Sequence, residues 1–531
     1  MRLRWKNVLW GWAVLASAVG CKNIAPPEHV LLVTLDTLRA DHVGLDSSAK
    51  ADMPHLRDLA RRGVAFRNAF AEIPITLPSH ASIFYGLPPH LLAQYNNGQP
   101  LPPPDVPSLA ETFQAAGYAT AAFVSLGVLE RRFGLNRGFD VYEDGFPENR
   151  WYLDAAELNR RALPWLERAA SGKFFAWVHY SDPHDPYAPP DTPDDLRLIL
   201  NGREAGRCAL AKYQTVEISL ALSSGENVLA WKVENAFPEK PGSFLARFDR
   251  FEIASESAGR WEFSLDAGWE VRASDGVHFA KDGARILIKT NGPRTVRLRF
   301  RGRPIWSVAG ARTMYRREVE FLDRELGRLW AKINDLGLRE TTFVLAAGDH
   351  GEGLGEFVDA FGEAHVGHIH HLYSYYLHVP LIIVDPQARR RGIIRDDPAE
   401  LLDIFPTIVR RFGWPEGPKR PGRNLLGAPA PADRDLFAET YRPEAAHDRF
   451  SLRRFPWQLI LTPEEGKIEL YDLREDPNEF RNLFGQAGGA RDARPLQPVL
   501  EARAREILDR KVEIKIDKRA EDMLRALGYI K

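Results

Sequence analysis

The chain has 531 residues, of which 44% are hydrophobic and 27% are charged. That composition is ordinary for a globular protein, and the length allows a large core and more than one domain. Lysine and arginine number 71 against 72 aspartates and glutamates, which leaves a net charge of −1. Nothing in this balance supports binding to a polyanion, so the sequence predicts no nucleic-acid partner.

The first 21 residues have the pattern of an export signal. A basic stretch precedes an apolar run at 8–19, which is too short to span a bilayer comfortably, and small residues precede Cys21. The pattern resembles a bacterial lipoprotein signal with Cys21 as the lipidated residue and 22–28 as a tether. We therefore expect a protein of the cell envelope, periplasmic or on the cell surface, with a lipid anchor in the membrane. The alternatives are an uncleaved anchor or an ordinary signal peptide, and lipidation would leave Cys208 without a disulfide partner.

Apolar runs and helical periodicities alternate along most of the chain. In chain order they predict a strand at 29–37, helices at 53–66 and 107–118, strands at 119–127 and 173–184, a helix at 315–337, and strands at 341–352 and 379–386. Continuous apolar runs are typical of strands covered on both faces. The sequence therefore predicts an α/β domain with a mostly parallel sheet between helices, formed by 29–192 and 307–390.

Two regions depart from this alternation. Residues 193–306 alternate apolar and polar positions between turn residues, which predicts an inserted all-β sandwich domain. Its tryptophans at 231, 261 and 269 fit core packing better than a sugar-binding face. Residues 391–531 predict a small C-terminal subdomain with antiparallel strands and a short closing helix at 523–530.

Polar side chains follow three of the predicted strands directly. Asp36, His184 and Asp349 all lie at strand ends, where functional groups gather in α/β sheets. His350 follows Asp349, and together they can face one cation. Two windows, 179–187 and 363–373, are rich in histidine, with His179, His184, His365, His368, His370 and His371.

The segment Thr76-Leu-Pro-Ser-His80 lies at a predicted helix start, where amide groups and the helix dipole favour an anion. A threonine hydroxyl is a poor nucleophile, but a bound divalent cation lowers its pKa. Thr76 with Asp36, Asp349 and His350 therefore suggests a metal site that carries a hydroxyl nucleophile. A plain helix cap is the alternative for Thr76 taken alone.

The order of these segments resembles the sulfatase branch of the alkaline phosphatase superfamily. The blocks are LLVTLDTLRADHVG, TLPSHASIFYGLPPH, HYSDPHDPYAPP, AGDHGEGLGE, LYSYYLHVPLII and IELYDLREDPNEFRNL. They cover 29–192 and about 310–531. The resemblance implies that family's α/β fold, with a smaller C-terminal subdomain.

Site roles follow from the resemblance position by position. The implied metal ligands are Asp36, Thr76, Asp349 and His350. Thr76 would also be the nucleophile, and His184 would stabilise the transferred group or protonate the leaving oxygen. His368 would contact the anionic ester or act as an acid, and His370 is the alternative candidate for that role. The expected substrate-binding residues are Ser79, His80 and His370.

One departure from the family pattern bears on the reaction. Members that make formylglycine carry Cys or Ser in C/S-x-P-S-R, whereas this chain has Thr76 and His80 at the ends of that pattern. A threonine sulfate ester has no gem-diol exit, but a phosphorylated threonine can be hydrolysed. We therefore expect a metal-dependent hydrolase of phosphoesters, phosphodiesters or phosphonates. The alternatives are a true sulfuric ester hydrolase, a phosphoethanolamine-type transferase and a non-catalytic binding lipoprotein.

The cation and the substrate are predicted only by class. Thr37 stands where family members have a second acidic residue after the first aspartate, which weakens the case for a fully carboxylate calcium site. The cofactor is therefore expected to be Zn²⁺ or Mn²⁺, with Ca²⁺ as a further candidate. The expected substrate is a small-molecule, glycan or lipid ester.

Overall fold

The computed structural model describes residues 28–529 apart from short intervals. The residues outside this description are 1–27, 46–48, 148–149, 191–195, 209, 211–214, 234–243, 256–258, 274–275, 359–361, 416, 418–419, 442–446, 487–492, 513, 528 and 530–531. The predicted lipidation site, Cys21, lies outside the described residues. Among the described helices, none combines the length and apolar composition that a membrane crossing requires.

The first part of the α/β domain alternates strands and helices. It contains β1 (His29–Leu35), α1 (Ala40–Val43), α2 (Pro54–Arg62), β2 (Val64–Phe70), α3 (Thr76–Tyr85), α4 (Leu109–Ala115), β3 (Ala119–Val124), β4 (Val141–Glu143), α5 (Ala155–Ala169) and β5 (Phe174–Tyr180). The predicted helix at 53–66 stops at Arg62, because the backbone from Val64 onward pairs in the central sheet. Capping boxes at Ser108 and Asp154 fix the starts of α4 and α5.

The insertion forms two five-stranded sheets. Its strands are β6 (Leu196–Leu200), β7 (Arg203–Cys208), β8 (Thr215–Leu222), β9 (Gly225–Val233), β10 (Phe244–Ser255), β11 (Trp261–Leu265), β12 (Trp269–Val271), β13 (His278–Lys281), β14 (Arg285–Thr290) and β15 (Arg294–Pro304). One sheet has the order β12-β13-β10-β15-β8 and the other β11-β14-β9-β6-β7. Trp231 is fully buried against Phe248 and Phe300, as expected of a core tryptophan.

The second part of the α/β domain begins with a long helix. The remaining elements are α6 (Val308–Asp335), β16 (Thr342–Gly348), β17 (Gly353–Val358), β18 (Ala364–Gly367), α7 (Ser374–Leu377), β19 (His378–Val384), β20 (Ile393–Arg395), β21 (Ala399–Glu400), α8 (Ile404–Arg411), β22 (Leu436–Thr440), β23 (Arg449–Arg454), β24 (Trp457–Thr462), β25 (Lys467–Asp472), α9 (Leu496–Arg510) and α10 (Lys518–Ala526). α6 starts before the predicted 315, because Ser307 caps it by accepting from the Gly310 amide. The predicted closing helix corresponds to the end of α10.

The central sheet has the order β20-β2-β19-β16-β1-β5-β3-β4, with β21 beside β2. In its described part every pairing is parallel except those of β19, which is antiparallel to β16 and to β2. β22 to β25 form a separate antiparallel sheet. The predicted fold class is confirmed: a mostly parallel α/β sheet, an inserted all-β sandwich and a smaller antiparallel C-terminal sheet. β20 and β21 join the central sheet, although they lie within the predicted subdomain 391–531.

The central sheet is buried on both faces, which explains its continuous apolar runs. Alternate residues of β1 enter different cores, Leu32 on one side and Leu31 on the other. The core around Leu32 includes side chains of α3, α4 and α8, and the core around Leu31 includes those of α2, α5 and α6. With both faces covered, the carboxyl ends of the strands are left to carry the polar site.

Candidate active site

Three neighbouring strands deliver the central residues. Leu35, the last residue of β1, pairs with Tyr180 of β5 and with Gly348 of β16. Asp36 and Asp349 each follow such a residue, so parallel pairing sets them side by side. Ligand atoms of Asp36, Asp349 and His350 all lie within 4.8 Å of one another. None of the three side chains is exposed, so the sequence correctly predicted that these residues meet.

One oxygen of Asp349 is held by the backbone. Its Oδ1 accepts from the amides of His350 at 2.7 Å and Thr37 at 3.1 Å. Thr37 has a φ of 58°, unusual for a β-branched residue, and this turn aims its amide at Asp349. Burial, followed by the nearby carboxylate of Asp36, raises the pKa of Asp349 well above its usual range. The second oxygen, Oδ2, faces His350 Nε2 at 3.5 Å and has no hydrogen-bond partner among the described residues.

His350 presents one ring nitrogen to the centre. Its Nδ1 is 3.0 Å from the carbonyl of Gly351, to which it donates, so the Nε2 lone pair is free for the centre. Nε2 lies 3.6 Å from Asp36 Oδ1 and 3.3 Å from Thr76 Oγ1. Burial lowers the pKa of His350 to about 3, so the imidazole is neutral near pH 7.

His179 supports Asp36 from behind. Its Nδ1 accepts from the amide and hydroxyl of Ser125, at 3.4 and 3.2 Å. The ring proton is therefore on Nε2, which faces Asp36 Oδ2 at 3.3 Å. Burial lowers the pKa of His179 to about 3. The neutral ring thus lies against the Asp36 carboxylate, in the position where outer partners of metal ligands are found.

These residues fit a divalent cation. Two buried carboxylates repel each other unless a positive charge lies between them, and burial together with this repulsion raises the pKa of Asp349. The carboxylate oxygens and the Thr76 hydroxyl suit Mn²⁺ and Ca²⁺, and the neutral imidazole nitrogen is a donor that suits Zn²⁺. The cluster formed by Asp36, Asp349 and His350 is therefore a candidate cation site.

The start of α3 holds the predicted nucleophile. Thr76 is the first residue of this helix and is fully buried. The other two polar residues of the segment have internal partners. Ser79 donates its hydroxyl to the Asp349 carbonyl at 2.7 Å. His80 Nδ1 donates to the Thr76 carbonyl at 2.7 Å, and its Nε2 is 2.9 Å from the Thr34 hydroxyl. Ser79 and His80 therefore position the helix start, and neither shows a group available to substrate.

The start of α3 offers few backbone amides to the anion expected there. The Leu77 amide donates to Asn97 Oδ1 at 2.9 Å, and the Ser79 amide donates to the Ile75 carbonyl at 3.0 Å. Pro78 has no amide proton. The first turn therefore has few amides left for the oxygens of a substrate, and charge on a transferred group must be balanced by side chains or a cation.

Two further histidines stand beside the centre. The ring of His368 is centred 4.6 Å from that of His350 and 4.8 Å from that of His184. His368 Nδ1 is 2.9 Å from Glu352 Oε2, and its Nε2 has no hydrogen-bond partner within the described part of the chain. His184 Nδ1 is 2.5 Å from the carbonyl of Asp185, and its Nε2 is 2.6 Å from the Tyr529 hydroxyl.

His370 lies in a different cluster. Its ring is centred 4.7 Å from His365 and 6.3 Å from His371. His371 donates through Nε2 to the Val358 carbonyl at 2.9 Å and accepts from Arg449 at 2.8 Å. Of the two histidines considered for the ester-binding role, the structure places His368 beside the centre, whereas the ring of His370 lies against those of His365 and His371.

The dependence of stability on pH should reflect the burial of His371 in this cluster. Burial, followed by the charge of Arg449, lowers the pKa of His371 from 6.5 to about 3. Between these values the unfolded chain binds a proton that the folded protein does not, so stability falls as the pH drops below 6.5. We expect the stability advantage of wild type over His371→Gln to shrink by up to about 1.4 kcal/mol per pH unit. Denaturant titrations of both proteins from pH 7 to 5 would measure it, and a constant difference would contradict it.

Sequence reasoning missed three residues of the site. Glu352 accepts from Tyr187 at 2.8 Å and pairs with His368, and it lies in the same GDHGE segment as two predicted ligands. Burial, followed by the charge of Asp185, raises its pKa well above the usual range. His179 was visible as a strand histidine, but only the fold pairs it with Asp36. Tyr529 carried no local signal, because its contact with Thr76 spans 453 residues.

The fold and the site define a hydrolase of the alkaline phosphatase superfamily with a candidate cation centre at its strand ends. The chain belongs to the sulfatase family, because the family model described as Sulfatase matches residues 28–414.

Similar proteins carry both sulfatase and phosphonate hydrolase names. The Escherichia coli (strain K12) protein named "Uncharacterized sulfatase YidJ" is 24% identical over 471 residues, covering 86% of this chain and 83% of that protein. Arylsulfatase K of Homo sapiens is 21% identical over 522 residues, covering 91% and 84%. A solved phosphonate monoester hydrolase from Silicibacter pomeroyi has a TM-score of 0.59 at 20% identity, covering 90% and 95%. At that identity the structural likeness shows the fold alone.

Proposed function

We propose that the protein hydrolyses phosphoric or phosphonic esters through a covalent adduct on Thr76. The observation that carries this proposal is the position of Thr76 Oγ1, 3.3 Å from His350 Nε2, at the cluster that Asp36 and Asp349 complete. A hydroxyl held at a candidate cation site is the arrangement that makes an alcohol nucleophilic.

The proposed reaction has two displacements. Asp36, Asp349 and His350 would hold a divalent cation, which lowers the pKa of the Thr76 hydroxyl and balances charge on the transferred group. Thr76 Oγ1 passes its proton to the His184–His368 pair and attacks phosphorus. The bond to the leaving oxygen breaks, and that oxygen takes a proton from the His184–His368 pair, whose rings are 4.8 Å apart. Water then gives a proton to the same pair and attacks phosphorus, and the Thr76 oxygen leaves and takes that proton.

His368 is the better anchored of the two histidines. Its Nδ1 partner, Glu352, is fully buried and is itself fixed by the Tyr187 hydroxyl. This chain of contacts holds the ring and leaves Nε2 to exchange a proton with a bound group. His184 is held through its backbone contact with Asp185.

The choice of phosphorus over sulfur rests on residue 76. Thr76 cannot become formylglycine, so a sulfate ester on it has no elimination route for release. A phosphoryl or phosphonyl group on Thr76 can be removed by attack of water at phosphorus. The second candidate is a sulfuric ester hydrolase, which the family match and the arylsulfatase K relative favour.

A panel of four 4-nitrophenyl esters would test the proposal. The purified protein, supplied in turn with Zn²⁺, Mn²⁺ and Ca²⁺, would be assayed on the phosphate monoester, the phosphate diester, the phenylphosphonate ester and the sulfate ester. We expect faster turnover of a phosphorus ester than of the sulfate, with Zn²⁺ or Mn²⁺ supporting the higher rate. Faster turnover of the sulfate would select the second candidate. Transfer to an added alcohol in place of water would indicate a transferase.

We also propose a lipid-anchored location in the cell envelope, with a small-molecule, glycan or lipid ester as substrate. Cys21→Ser is expected to move the protein from the membrane fraction to the soluble fraction, because no acyl chain can be attached to serine in this pathway. Fractionation and labelling with a radioactive fatty acid would measure the change. Cys208→Ser is the matched control and should stay in the membrane fraction. A Cys21→Ser protein that remains in the membrane would contradict lipidation and indicate an uncleaved anchor.

A further inference from the structure

Tyr529 reaches the centre from the far end of the described chain. Its hydroxyl is 2.6 Å from His184 Nε2 and 3.4 Å from Thr76 Oγ1. Its ring is centred 5.5 Å from the ring of His184 and 5.4 Å from that of His368. One phenol therefore contacts the proposed nucleophile, and both histidines proposed to assist the leaving group.

The phenol oxygen of Tyr529 occupies a position that the reacting group of a bound ester would need. A reacting atom held ready for attack lies about 3–3.5 Å from the nucleophile. The Tyr529 oxygen, at 3.4 Å, fills that space. In an in-line displacement the leaving oxygen lies on the side of phosphorus opposite the nucleophile, and the group that protonates it must be within hydrogen-bond reach. His184 Nε2, 2.6 Å from the phenol oxygen, lies within reach of an oxygen bonded to phosphorus held in that space.

We propose that Tyr529 is an internal occupant of the leaving-group subsite, and that it must leave before an ester can bind. The proposal rests on the proposed function in taking Thr76 as the nucleophile. It assigns a subsite built for a flat ring bearing an oxygen, beside the rings of His184 and His368. The proposal therefore favours esters of phenols or of similarly flat alcohols over small alkyl esters.

The side chains of the centre are almost inaccessible to solvent, which agrees with an occupied subsite. Thr76, Asp36, Asp349 and His350 are all 0% exposed, and His184 and His368 are at most 5% exposed. A substrate has no access to a hydroxyl buried in this way. Some part of the structure must therefore open during turnover, and Tyr529 is the group that lies against the nucleophile.

The attachment of the α10 segment (residues 517–527 and Tyr529) suits it to opening. Besides Tyr529, its buried side chains are Ala520, Met523, Leu524 and Leu527. Within the described residues, two ion pairs join it to the rest of the fold, Arg519–Glu130 at 3.3 Å and Arg132–Asp517 at 3.4 Å, and the Arg519 and Asp517 side chains are 65% and 71% exposed. The Arg519 guanidinium also lies 5.4 Å from the centre of the Trp151 ring. Exposed pairs of this kind contribute little. A short helix held by a few apolar contacts belongs to the least stable part of a fold.

Kinetics would separate an occupant from a catalytic group. If the subsite is filled in about 90% of molecules, removing the occupant lowers the apparent KM about tenfold, because only the open fraction binds substrate. We therefore expect Tyr529→Ala to lower KM several-fold with kcat maintained or raised. Tyr529→Phe keeps the ring but loses the hydroxyl contact with His184, and should lie between Tyr529→Ala and wild type.

The opposite kinetic outcome would overturn the proposal. A loss of kcat of tenfold or more in both variants would make the phenol a participant in the reaction. An unchanged or raised KM in Tyr529→Ala would also overturn it. Melting temperatures of the three proteins would be compared, so that a folding defect is not read as a kinetic effect. A comparison of kcat/KM for phenyl and methyl phosphate esters in the variants tests the flat-ring subsite. A preference for the methyl ester would contradict it.

Proteolysis gives a readout that needs no turnover. Tungstate, a tetrahedral oxyanion, would be added to the metal-loaded wild-type protein, and trypsin cleavage at Lys518, Arg519 and Arg525 would be followed by mass spectrometry. We expect tungstate to displace Tyr529 and to speed cleavage in the α10 segment. Slower or unchanged cleavage, at tungstate concentrations that raise the melting temperature of the protein, would overturn the occupant. If no ester of any kind is hydrolysed, the proposed function fails, while this assay still decides the inference.

Discussion

Thr76→Ala is expected to abolish turnover while leaving the fold intact. The variant removes the one hydroxyl that lies 3.3 Å from His350 Nε2 at the candidate cation site. Loss of a nucleophile costs at least about 10³-fold in kcat in enzymes that form covalent adducts. Steady-state kinetics with the best ester of the panel would measure the loss, and circular dichroism and the melting temperature would report the fold.

Thr76→Ser is the matched control, because it keeps the hydroxyl and loses only a methyl group. It should retain activity within about tenfold of wild type. Rapid quenching of the wild-type reaction, followed by mass spectrometry, should find a phosphoryl or phosphonyl group on the peptide that contains residue 76. Wild-type rates in Thr76→Ala would end the nucleophile assignment.

Asp349→Asn is expected to remove both cation binding and activity. Asp349 Oδ1 is held by two amides, which leaves Oδ2 as its free ligand atom, and an amide oxygen there would carry no charge. Wild type should gain about 2.7 kcal/mol of stability when free metal is 100 times its Kd. The variant should gain almost nothing. Metal content of the purified proteins and melting temperatures with and without a chelator would measure both effects.

When the cation is removed by a chelator, wild type should lose its advantage in melting temperature over Asp349→Asn. Without a cation, Asp36 and Asp349 face each other as buried carboxylates, so neutralising one of them removes repulsion. Chelated Asp349→Asn should therefore melt no lower than chelated wild type. Asp323→Asn is a suitable control, since Asp323 also accepts two backbone amides, those of His55 and Leu56. Equal responses to added metal in wild type and Asp349→Asn would contradict the site.

The sequence located the centre because its residues follow strands. Asp36 and Asp349 end long apolar runs, and parallel pairing of adjacent strands leaves their ends together. Thr76 was found from the resemblance and from its place at a helix start. The roles of Ser79 and His80 were not predictable, since their partners are a carbonyl 270 residues away and a hydroxyl 46 residues away.

The remaining differences arise from contacts between distant segments. Helix periodicity did not show that 64–66 would leave α2 for the sheet, because the pairing partner, β19, lies more than 300 residues along the chain. In the sequence the amides of the helix start are available to an anion, but in the structure Asn97 accepts from one of them. Tyr529 follows an amphipathic helix, and no catalytic or metal-binding motif adjoins it in the sequence. Local pattern therefore predicts elements and strand-end residues, while the inner surface of the site depends on packing.

Because of the strand order, β1 is synthesised long before one of its two neighbouring strands. β1 lies between β5 and β16, and the contact between Thr37 and Asp349 spans 312 residues. At about 5–20 residues per second, the ribosome needs roughly 15–60 s to add that stretch. Throughout this interval one edge of β1 lacks its strand neighbour, and its apolar residues and backbone groups are open to other chains. We therefore expect the nascent protein to depend on a partner, such as a chaperone, that covers this edge until β16 has been synthesised.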